Sequence, residues 1–214
     1  MITALTHTFA ISSDAGATAE TPDIDTRGAN LLVVAVANLE DIDVLVSDSL
    51  GNTWVRLDQF QTTSCVRLYY CLHPLVGANH AFLVEPDGTL DPSYPSIYVA
   101  AFSGAGGYEQ DTGAEESNAT SVAPDLTPHE NNELVITAMA AEGTGAPYTV
   151  DSGFTLTDTH IFVGSQSFGG GLAYKIQTAA AFVEPTWTQA NSTSIVAAIA
   201  SFTAARGTVQ AFIL

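Results

Sequence analysis

Short runs of β-branched and aromatic residues, separated by turn residues, make up most of this chain of 214 residues. No run shows the i, i+3, i+4, i+7 apolar pattern of an amphipathic helix with capping residues at its ends. Runs bounded by Gly, Pro, Asn, Asp or Ser are typical of β-strands. The sequence therefore predicts an all-β protein with essentially no helix, and with strands near residues 4–11, 31–38, 43–47, 53–59, 64–72, 80–85, 96–103, 119–126, 133–140, 153–160, 166–176, 181–188, 194–203 and 207–213.

An internal repeat adds a second constraint. The run NLLVVAVANLE (30–40) matches NELVITAMAAE (132–142) at a constant spacing of 102 residues, from position 30 to position 132. Two further matches follow in the same order: RLYYCLHPLVGANHAFLVEP (67–86) with GLAYKIQTAAAFVEP (171–185), and AAFSG (100–104) with IASFTA (199–204). A repeat of this length is too long for a solenoid unit.

Two architectures fit the repeat: two tandem small sandwiches, or one sandwich with internal pseudo-symmetry. We favour a single domain over 1–214, with halves at about 28–104 and 130–205 and a loop at 104–118 (GAGGYEQDTGAEESN) between them. A double Greek key of the jelly-roll type has such symmetry. The predicted fold is therefore an antiparallel, jelly-roll-like β-sandwich.

Three of the runs, LLVVAVA, SIYVAAFSG and SIVAAIASF, are apolar at both odd and even positions. A half-exposed antiparallel strand alternates between apolar and polar residues, so we expect both faces of these strands to be covered. The cover comes either from loops of the same chain or from neighbouring subunits of a homo-oligomer. The C-terminal TVQAFIL is either a last strand or a docking tail.

The charge balance is strongly acidic, with 23 Asp and Glu against 5 Lys and Arg and a formal net charge of −18. Such a chain repels nucleic-acid phosphates and anionic lipids, so we expect neither as a partner. No stretch approaches the ~20 apolar residues of a membrane-spanning helix. The start, MITALTHTFAISSDAG, has no basic region before its short apolar run, which predicts no signal peptide and synthesis in the host cytoplasm.

The two cysteines, Cys65 and Cys71, flank VRLYY with no turn residue between them. On one strand they would lie ~20 Å apart at about 3.3 Å per residue. A disulfide needs Cα atoms within roughly 7 Å, so the pair is not expected to form one. We expect two buried thiols.

The chain shows no pattern typical of a catalytic or metal site. The five histidines, His7, His73, His80, His129 and His160, lack metal-ligand spacing. The stretch GSQSFGGG (164–171) lacks both the ending of a phosphate-binding loop and the spacing of a nucleophile elbow. We predict no catalytic residue, no metal, no cofactor and no enzymatic activity; the enzyme alternative, a polysaccharide hydrolase or lyase, requires two acids facing each other across a groove.

Two stretches offer alternative binding chemistry. Carboxylates of the acidic segment 40–49 could supply oxygen ligands to Ca²⁺: Glu40, Asp41, Asp43 and Asp48. Aromatic residues could form a sugar-stacking platform, although the two tryptophans sit inside strand patterns typical of packing: Trp54, Trp187, Tyr69, Tyr70, Tyr94, Tyr98 and Tyr148.

The order of these segments resembles a β-sandwich module of phage and prophage structural proteins and of bacterial surface proteins. The resemblance rests on NLLVVAVA, DSLGNTWVRL, LYYCLHPLVGANHAFLV and YVAAFSGA in the first half, and on NELVITAMAAEG, GGGLAYKI and SIVAAIASFTA in the second. It covers about residues 28–205 and consists of strand patterns, not reactive groups.

The resemblance implies a non-enzymatic module of adhesins, fibres or capsid-decorating proteins. With an initial Met and no signal peptide, the sequence favours a virion component over a cell-surface adhesin. We therefore expect a capsid decoration or cement protein, or another particle-surface protein, that binds virion proteins and forms a small homo-oligomer. The alternative is a tail-fibre or adhesin module that recognises a carbohydrate or a receptor.

Overall fold

The computed structural model describes residues 1–12, 17–39, 43–87, 94–143, 147–151, 153–163 and 167–206. Within these ranges the chain is all-β and contains no helix. The strands, in chain order, are β1 (Thr3–Ile11), β2 (Ala19–Glu20), β3 (Leu31–Leu39), β4 (Val44–Asp48), β5 (Val55–Gln61), β6 (Ser64–Leu72), β7 (Phe82–Pro86), β8 (Ser96–Ser103), β9 (Ala105–Val122), β10 (Glu133–Glu142), β11 (Thr149–Val150), β12 (Thr155–Val163), β13 (Ser167–Gln177) and β14 (Trp187–Ala204).

Two antiparallel sheets with the same strand order carry the fold. The first sheet has the order β1-β8-β3-β6-β5, and the second has β9-β14-β10-β13-β12, with β11 beside the start of β14. A third, small sheet has the order β2-β7-β4. The inner faces of the two large sheets pack together, with β1 against β12 at one edge and β5 against β9 at the other. This arrangement is consistent with the predicted β-sandwich.

The central strands β3 and β10 explain the two-faced apolar runs. Every residue of β3 is buried, and only the last residue of β10 is not. Alternate residues such as Leu31 and Leu134 point into the core between the large sheets. The intervening residues, such as Leu32 and Val135, belong to separate outer clusters. Each side chain of this size contributes about 1.5–3 kcal/mol on burial, so both faces stabilise the strand.

The chain itself covers the outer face of each sheet. The small sheet covers the first one, where Phe82 and Val84 of β7 pack on Val34 of β3. On the second sheet the cover is irregular chain and short elements, including Leu126, Tyr148 and Val183. Of the two kinds of cover that the sequence left open, the structure contains the first, loops and short strands of the same chain.

Strand pairing fixes which residues of the two halves are counterparts. Leu31 pairs with Phe102 and Leu134 with Phe202, and all four side chains lie in the central core. Leu31 and Leu134 are therefore counterparts, at a spacing of 103 residues (134 − 31) and not the 102 of the best letter match. A shift of one residue turns every side chain to the opposite face of a strand, so pairing and not letter identity decides the correspondence.

The prediction of a loop at 104–118 is wrong. The segment lies almost entirely in β9, an 18-residue strand that pairs with β14 along one side. Its Gly, Asp and Asn residues suit turns, but β9 is an edge strand with one side facing solvent, where polar residues are tolerated. The jelly-roll topology is not confirmed, because each large sheet is built from one half of the chain. The strand predicted at 207–213 lies outside the described residues.

Cys65 and Cys71 both lie on β6, as the absence of a turn between them predicted. Both are buried and neither takes part in a disulfide. Burial and the nearby charge of Asp48 raise the pKa of the Cys71 thiol. A raised pKa keeps the thiol protonated and unreactive at neutral pH.

Candidate functional site

The acidic segment 40–49 does not form a calcium site in the described part of the chain. Residues 40–42, which include Glu40 and Asp41, lie outside it. Asp43 binds two arginines, its Oδ1 atom lying 3.1 Å from the Nη1 atoms of both Arg56 and Arg67. Among the described residues no group of three His, Cys, Asp or Glu side chains is arranged to hold a metal ion.

Asp48, the other predicted ligand, is the centre of a buried polar network. Its Oδ1 atom accepts hydrogen bonds from the Leu50 and Asn52 backbones and from the Asn52 amide, at 2.9 to 3.4 Å. Its Oδ2 atom accepts a bond from Nε1 of Trp54 at 2.9 Å. His80 Nε2 lies 3.0 Å from Oδ1, and His80 Nδ1 lies 2.9 Å from Thr26 Oγ1. A carboxylate with this many donors anchors the turn after β4.

The Thr26–His80–Asp48 chain has the order of a nucleophile, base and acid. However, Thr26 and His80 have no exposed surface, and the Thr26 hydroxyl lies between the backbone N–H and C=O of Gly77. A catalytic hydroxyl has to reach a substrate carbonyl, which this position prevents. The network therefore fits a structural role, joining the small sheet to the segments on either side of it.

The remaining histidines have individual environments. His7 Nδ1 lies 2.7 Å from Asp158 Oδ2 across the β1–β12 edge, and His129 Nδ1 lies 3.1 Å from Glu109 Oε1. His160 packs on the ring of Phe9, and burial lowers its pKa. His73 lies in a turn with a positive φ of 53°. The structure does not bring the five histidines together.

The predicted sugar-stacking residues are largely part of the packing. Trp187 has no exposed surface, and its Nε1 donates to Thr137 Oγ1 at 2.9 Å. Trp54 is half-buried and donates to Asp48. Four of the tyrosines are buried: Tyr69, Tyr94, Tyr98 and Tyr148. Among the predicted tyrosines, only Tyr70 is partly exposed. Its ring stacks on that of Tyr108, with ring centres 5.3 Å apart, and Tyr108 was not among the predicted residues.

The glycine-rich stretch 164–171 serves packing in its described part, 167–171. Gly169, Gly170 and Gly171 lie buried within β13. A Cβ atom at Gly169 would overlap the ring and hydroxyl of Tyr148, and one at Gly170 would lie 2.7 Å from Cβ of Ala37. The glycines let Tyr148 and the opposite sheet approach the strand, as the interpretation of a glycine-softened strand predicted.

A pair of carboxyl groups with shifted pKa values, Glu109 and Glu133, was not singled out by the sequence. Glu109 lies in a bulge of β9, between residues 108 and 110, which pair with consecutive residues of β14. Glu133 is the first residue of β10 and has no exposed surface. Since β14 pairs with both β9 and β10, the sheet brings the two acids to one place.

Each carboxyl group has defined donors. Ser201 of β14 donates its hydroxyl to Glu109 Oε2 at 2.7 Å, and the His129 backbone N–H lies 3.3 Å from both Glu109 oxygens. Glu133 Oε1 accepts the backbone N–H of Glu130 at 2.7 Å. Its Oε2 atom is buried and meets no donor among the described residues. A buried carboxylate oxygen without a donor favours the protonated form of Glu133, because protonation removes the charge.

The pKa values of the pair diverge accordingly. Burial, a hydrogen bond to Glu109 and the charges of Glu109 and Glu130 raise the pKa of Glu133 to about 7. Burial alone would raise the pKa of Glu109, but hydrogen bonds from Ser201, Glu133 and His129 outweigh it and lower that pKa below its ordinary value. Glu133 is the acid and Glu109 the carboxylate of the pair.

This geometry differs from that of a glycosidase. Hydrolytic carboxyl pairs flank a sugar and lie about 5–9.5 Å apart. The carboxyl groups of Glu109 and Glu133 instead lie close enough for each to shift the pKa of the other, and the Glu133 side chain lies beneath the surface. The pair therefore lacks the groove that the hydrolase alternative requires.

The two edges of the sandwich differ in whether side chains close the gap between the sheets. At the β1–β12 edge an open cleft of about 220 Å³ lies between the sheets, lined in part by Leu5, Phe102, Leu156 and Tyr174. Leu5 is 41% exposed and Leu156 is 38% exposed. The cleft is apolar apart from threonines, His7 and the hydroxyl of Tyr174, which suits a protein side chain better than a charged ligand.

The β5–β9 edge is closed by side chains of β9. Asp111 accepts the Asp58 backbone N–H at 3.3 Å, and Glu115 accepts that of Gln61 at 2.8 Å. The ring of Phe60 lies directly on Gly113, where a Cβ atom would come within 2.4 Å of it. Carboxylates thus block N–H groups of the edge strand β5, which would otherwise be open to pairing with another strand.

Comparisons with known proteins add no relative: no protein-family model, no curated protein and no solved structure matches the chain. In the part of the chain that the structure describes, there is also no helix with the length and apolar character needed to cross a membrane.

Proposed function

We propose that the protein is a non-enzymatic structural component of a virus particle, most simply a decoration or cement protein, which binds other virion proteins. The observation that carries the proposal is the β1–β12 cleft, an apolar opening with exposed Leu5 and Leu156 on an acidic molecule. Apolar side chains in a cleft are the usual anchors of protein–protein binding. The resemblance to phage structural modules gives the biological setting.

The proposal differs in one respect from the sequence-based expectation. The two-faced strands, for which neighbouring subunits were one of the two expected covers, have both faces covered within the chain. They are therefore internal, and the contact with the particle falls to the edge cleft and the loops. The C-terminal AFIL, the other expected contact, lies outside the described residues.

The direct test is quantitative mass spectrometry of purified particles, with copies of this chain counted against the major capsid protein. A copy number that is a large fraction of the capsid count supports a decoration or cement role. A handful of copies supports a tail or fibre location. Absence of the chain from the particles contradicts the proposal.

A second test addresses the surface. Leu5→Ser combined with Leu156→Ser removes the exposed apolar groups of the cleft, while Leu75→Ser removes an exposed leucine outside it. We expect the double variant to lose binding to particles stripped of this protein, and Leu75→Ser to retain it. Equal binding by both variants excludes the cleft as the contact.

A carbohydrate-binding function is the second candidate. Tyr108 is 36% exposed, its ring stacks on Tyr70, and its hydroxyl donates to Asp111. An aromatic face beside a carboxylate can bind a sugar by stacking and hydrogen bonding. This candidate predicts glycan-array binding that Tyr108→Ala abolishes and that the Leu5 and Leu156 substitutions leave unchanged.

A further inference from the structure

The carboxyl pair joins three parts of the second half. Glu109 belongs to the edge strand β9, Glu133 begins the central strand β10, and Ser201 of β14 lies between them. The segment 123–132, which leads from β9 to β10, attaches at the same place. His129 donates its backbone N–H to Glu109, and Gln110 donates its side-chain amide to the Thr127 carbonyl at 2.7 Å.

The surroundings of the two carboxyl groups favour one proton on the pair. Without a proton, the buried Oε2 atom of Glu133 has no donor among the described residues. Two ionised carboxylates in contact would also repel each other in a site with little water. With one proton on Glu133, its hydroxyl donates to Glu109 and both problems disappear.

The charged groups around the pair come from each element packed against it. From the segment before β10 come His129, whose ring faces Glu109, and Glu130, whose charge faces Glu133. Arg206, which follows β14, pairs with Glu130. His129 balances the charge of Glu109 when it is protonated, and Arg206 balances that of Glu130. A second negative charge, on Glu133, has no cation of its own among these groups.

We propose that the proton shared by Glu109 and Glu133 is a pH-dependent latch, which holds β9 and the segment 123–132 against β14 and β10 and weakens as the pH rises. The latch is independent of the virion proposal, because it rests on contacts within the chain. Its consequence is that the β9 edge of the molecule opens more readily at neutral than at mildly acidic pH.

The pH range over which the latch weakens follows from the raised pKa of Glu133. Glu133 has an ordinary pKa of 4.5 when unfolded and a pKa of about 7 in the folded protein. Opening therefore releases a proton between these values, and the opening equilibrium rises about tenfold per pH unit there. Below pH 4.5 the latch is fully present, and above about pH 7 its contribution is lost. The lowered pKa of Glu109 acts in the opposite direction, at pH values below 4.5.

The test compares urea unfolding from pH 4.5 to pH 8 for the wild type, Glu133→Gln and Glu116→Gln. The Glu133→Gln amide can donate to Glu109 but cannot ionise, whereas Glu116 is an exposed acid on β9, the strand that carries Glu109. We expect the Glu133→Gln protein to gain stability relative to the wild type as the pH rises to about 7, and Glu116→Gln to follow the wild type. A difference between Glu133→Gln and wild type that does not change with pH overturns the proposal.

A measurement on the unmodified protein covers the case in which Glu133→Gln fails to fold. Carboxyl carbon shifts in a ¹³C NMR titration report each glutamate separately. We expect one glutamate to titrate near pH 7, and Glu109→Gln to move that midpoint down, since the neighbouring charge is then removed. If every glutamate titrates between pH 3.5 and pH 5, no proton is shared and the latch does not exist.

Discussion

The two halves of the molecule repeat one five-stranded sheet but fill one pair of positions with different chemistry. Strand pairing makes the bulge residue Leu5 of β1 the counterpart of Glu109, and Asn30 the counterpart of Glu133. Asn30 holds the backbone of Ala105 with both atoms of its amide, at 2.5 and 3.1 Å. The first half thus closes this corner with neutral hydrogen bonds, and the second half closes it with a titratable pair.

In the segments that cover the outer faces of the sheets, one bridge carries a polar residue in the first half and only apolar residues in the second. The bridge between Ile24 and His80 in the first half corresponds to the bridge between Leu126 and Val183 in the second. His80 belongs to the Asp48 network, whereas Leu126 and Val183 form an apolar cluster with Val135. A shared backbone framework therefore tolerates either a polar or an apolar filling, provided that every buried polar group finds a partner.

The largest expected effect is a difference in stability loss between substitutions of two aspartates at corresponding turns, Asp48 and Asp151. Asp48→Ala leaves five donors without their acceptor, including the buried His80 and the Trp54 indole, and should cost about 3–5 kcal/mol. Asp151 is exposed, and its side chain accepts the Thr186 backbone N–H. Asp151→Ala should cost no more than about 1.5 kcal/mol. Urea unfolding of both variants measures the difference, and equal losses would contradict the contrast between the halves.

A smaller effect is expected at the closed edge. Gly113→Ala puts a methyl group into the ring of Phe60 and should cost about 1–3 kcal/mol through overpacking. Adding Phe60→Leu should recover part of that loss, because the smaller side chain leaves room for the methyl group. Thermal unfolding of the single and double variants tests this coupling. Additive losses would show that the ring does not close the edge.

The smallest effect is expected at the open edge. Leu5→Ser and Leu156→Ser remove side chains that are already partly exposed, so each should change the free energy of unfolding by less than about 1 kcal/mol. Thermal unfolding of the two single variants measures these changes. A loss of 3 kcal/mol or more, as expected for a core leucine, would show that these residues belong to the core and not to a binding cleft.

The apolar strands could be predicted from the sequence, and the polar edge could not. The predicted strand 31–38 is Leu31–Leu39 in the structure, and 133–140 is Glu133–Glu142. These runs are apolar on both faces, so tertiary packing and local propensity agree. In β9 they disagree: its Gly, Asp and Glu residues are of types that are depleted in strands, and pairing with β14 makes it a strand.

The carboxyl pair was missed because its two members lie on different strands and meet only through a third. Local sequence does not show that β14 pairs with both β9 and β10 and so brings Glu109 and Glu133 together. One signal was present: Glu133 directly precedes the largely apolar run LVITAMAA, which makes its burial possible. A buried acid without a nearby cation in the sequence is a reason to look for a second carboxyl group.

The contrast between the halves can be measured within one molecule by hydrogen exchange and mass spectrometry at pH 5 and pH 7.5, corrected for the intrinsic effect of pH. We predict that peptides from β9 and the segment 123–132 lose protection as the pH rises, while peptides from β1 and from residues 24–30, their counterparts, keep it. An equal loss in both halves, or no loss in β9, would contradict a titratable closure confined to the second half.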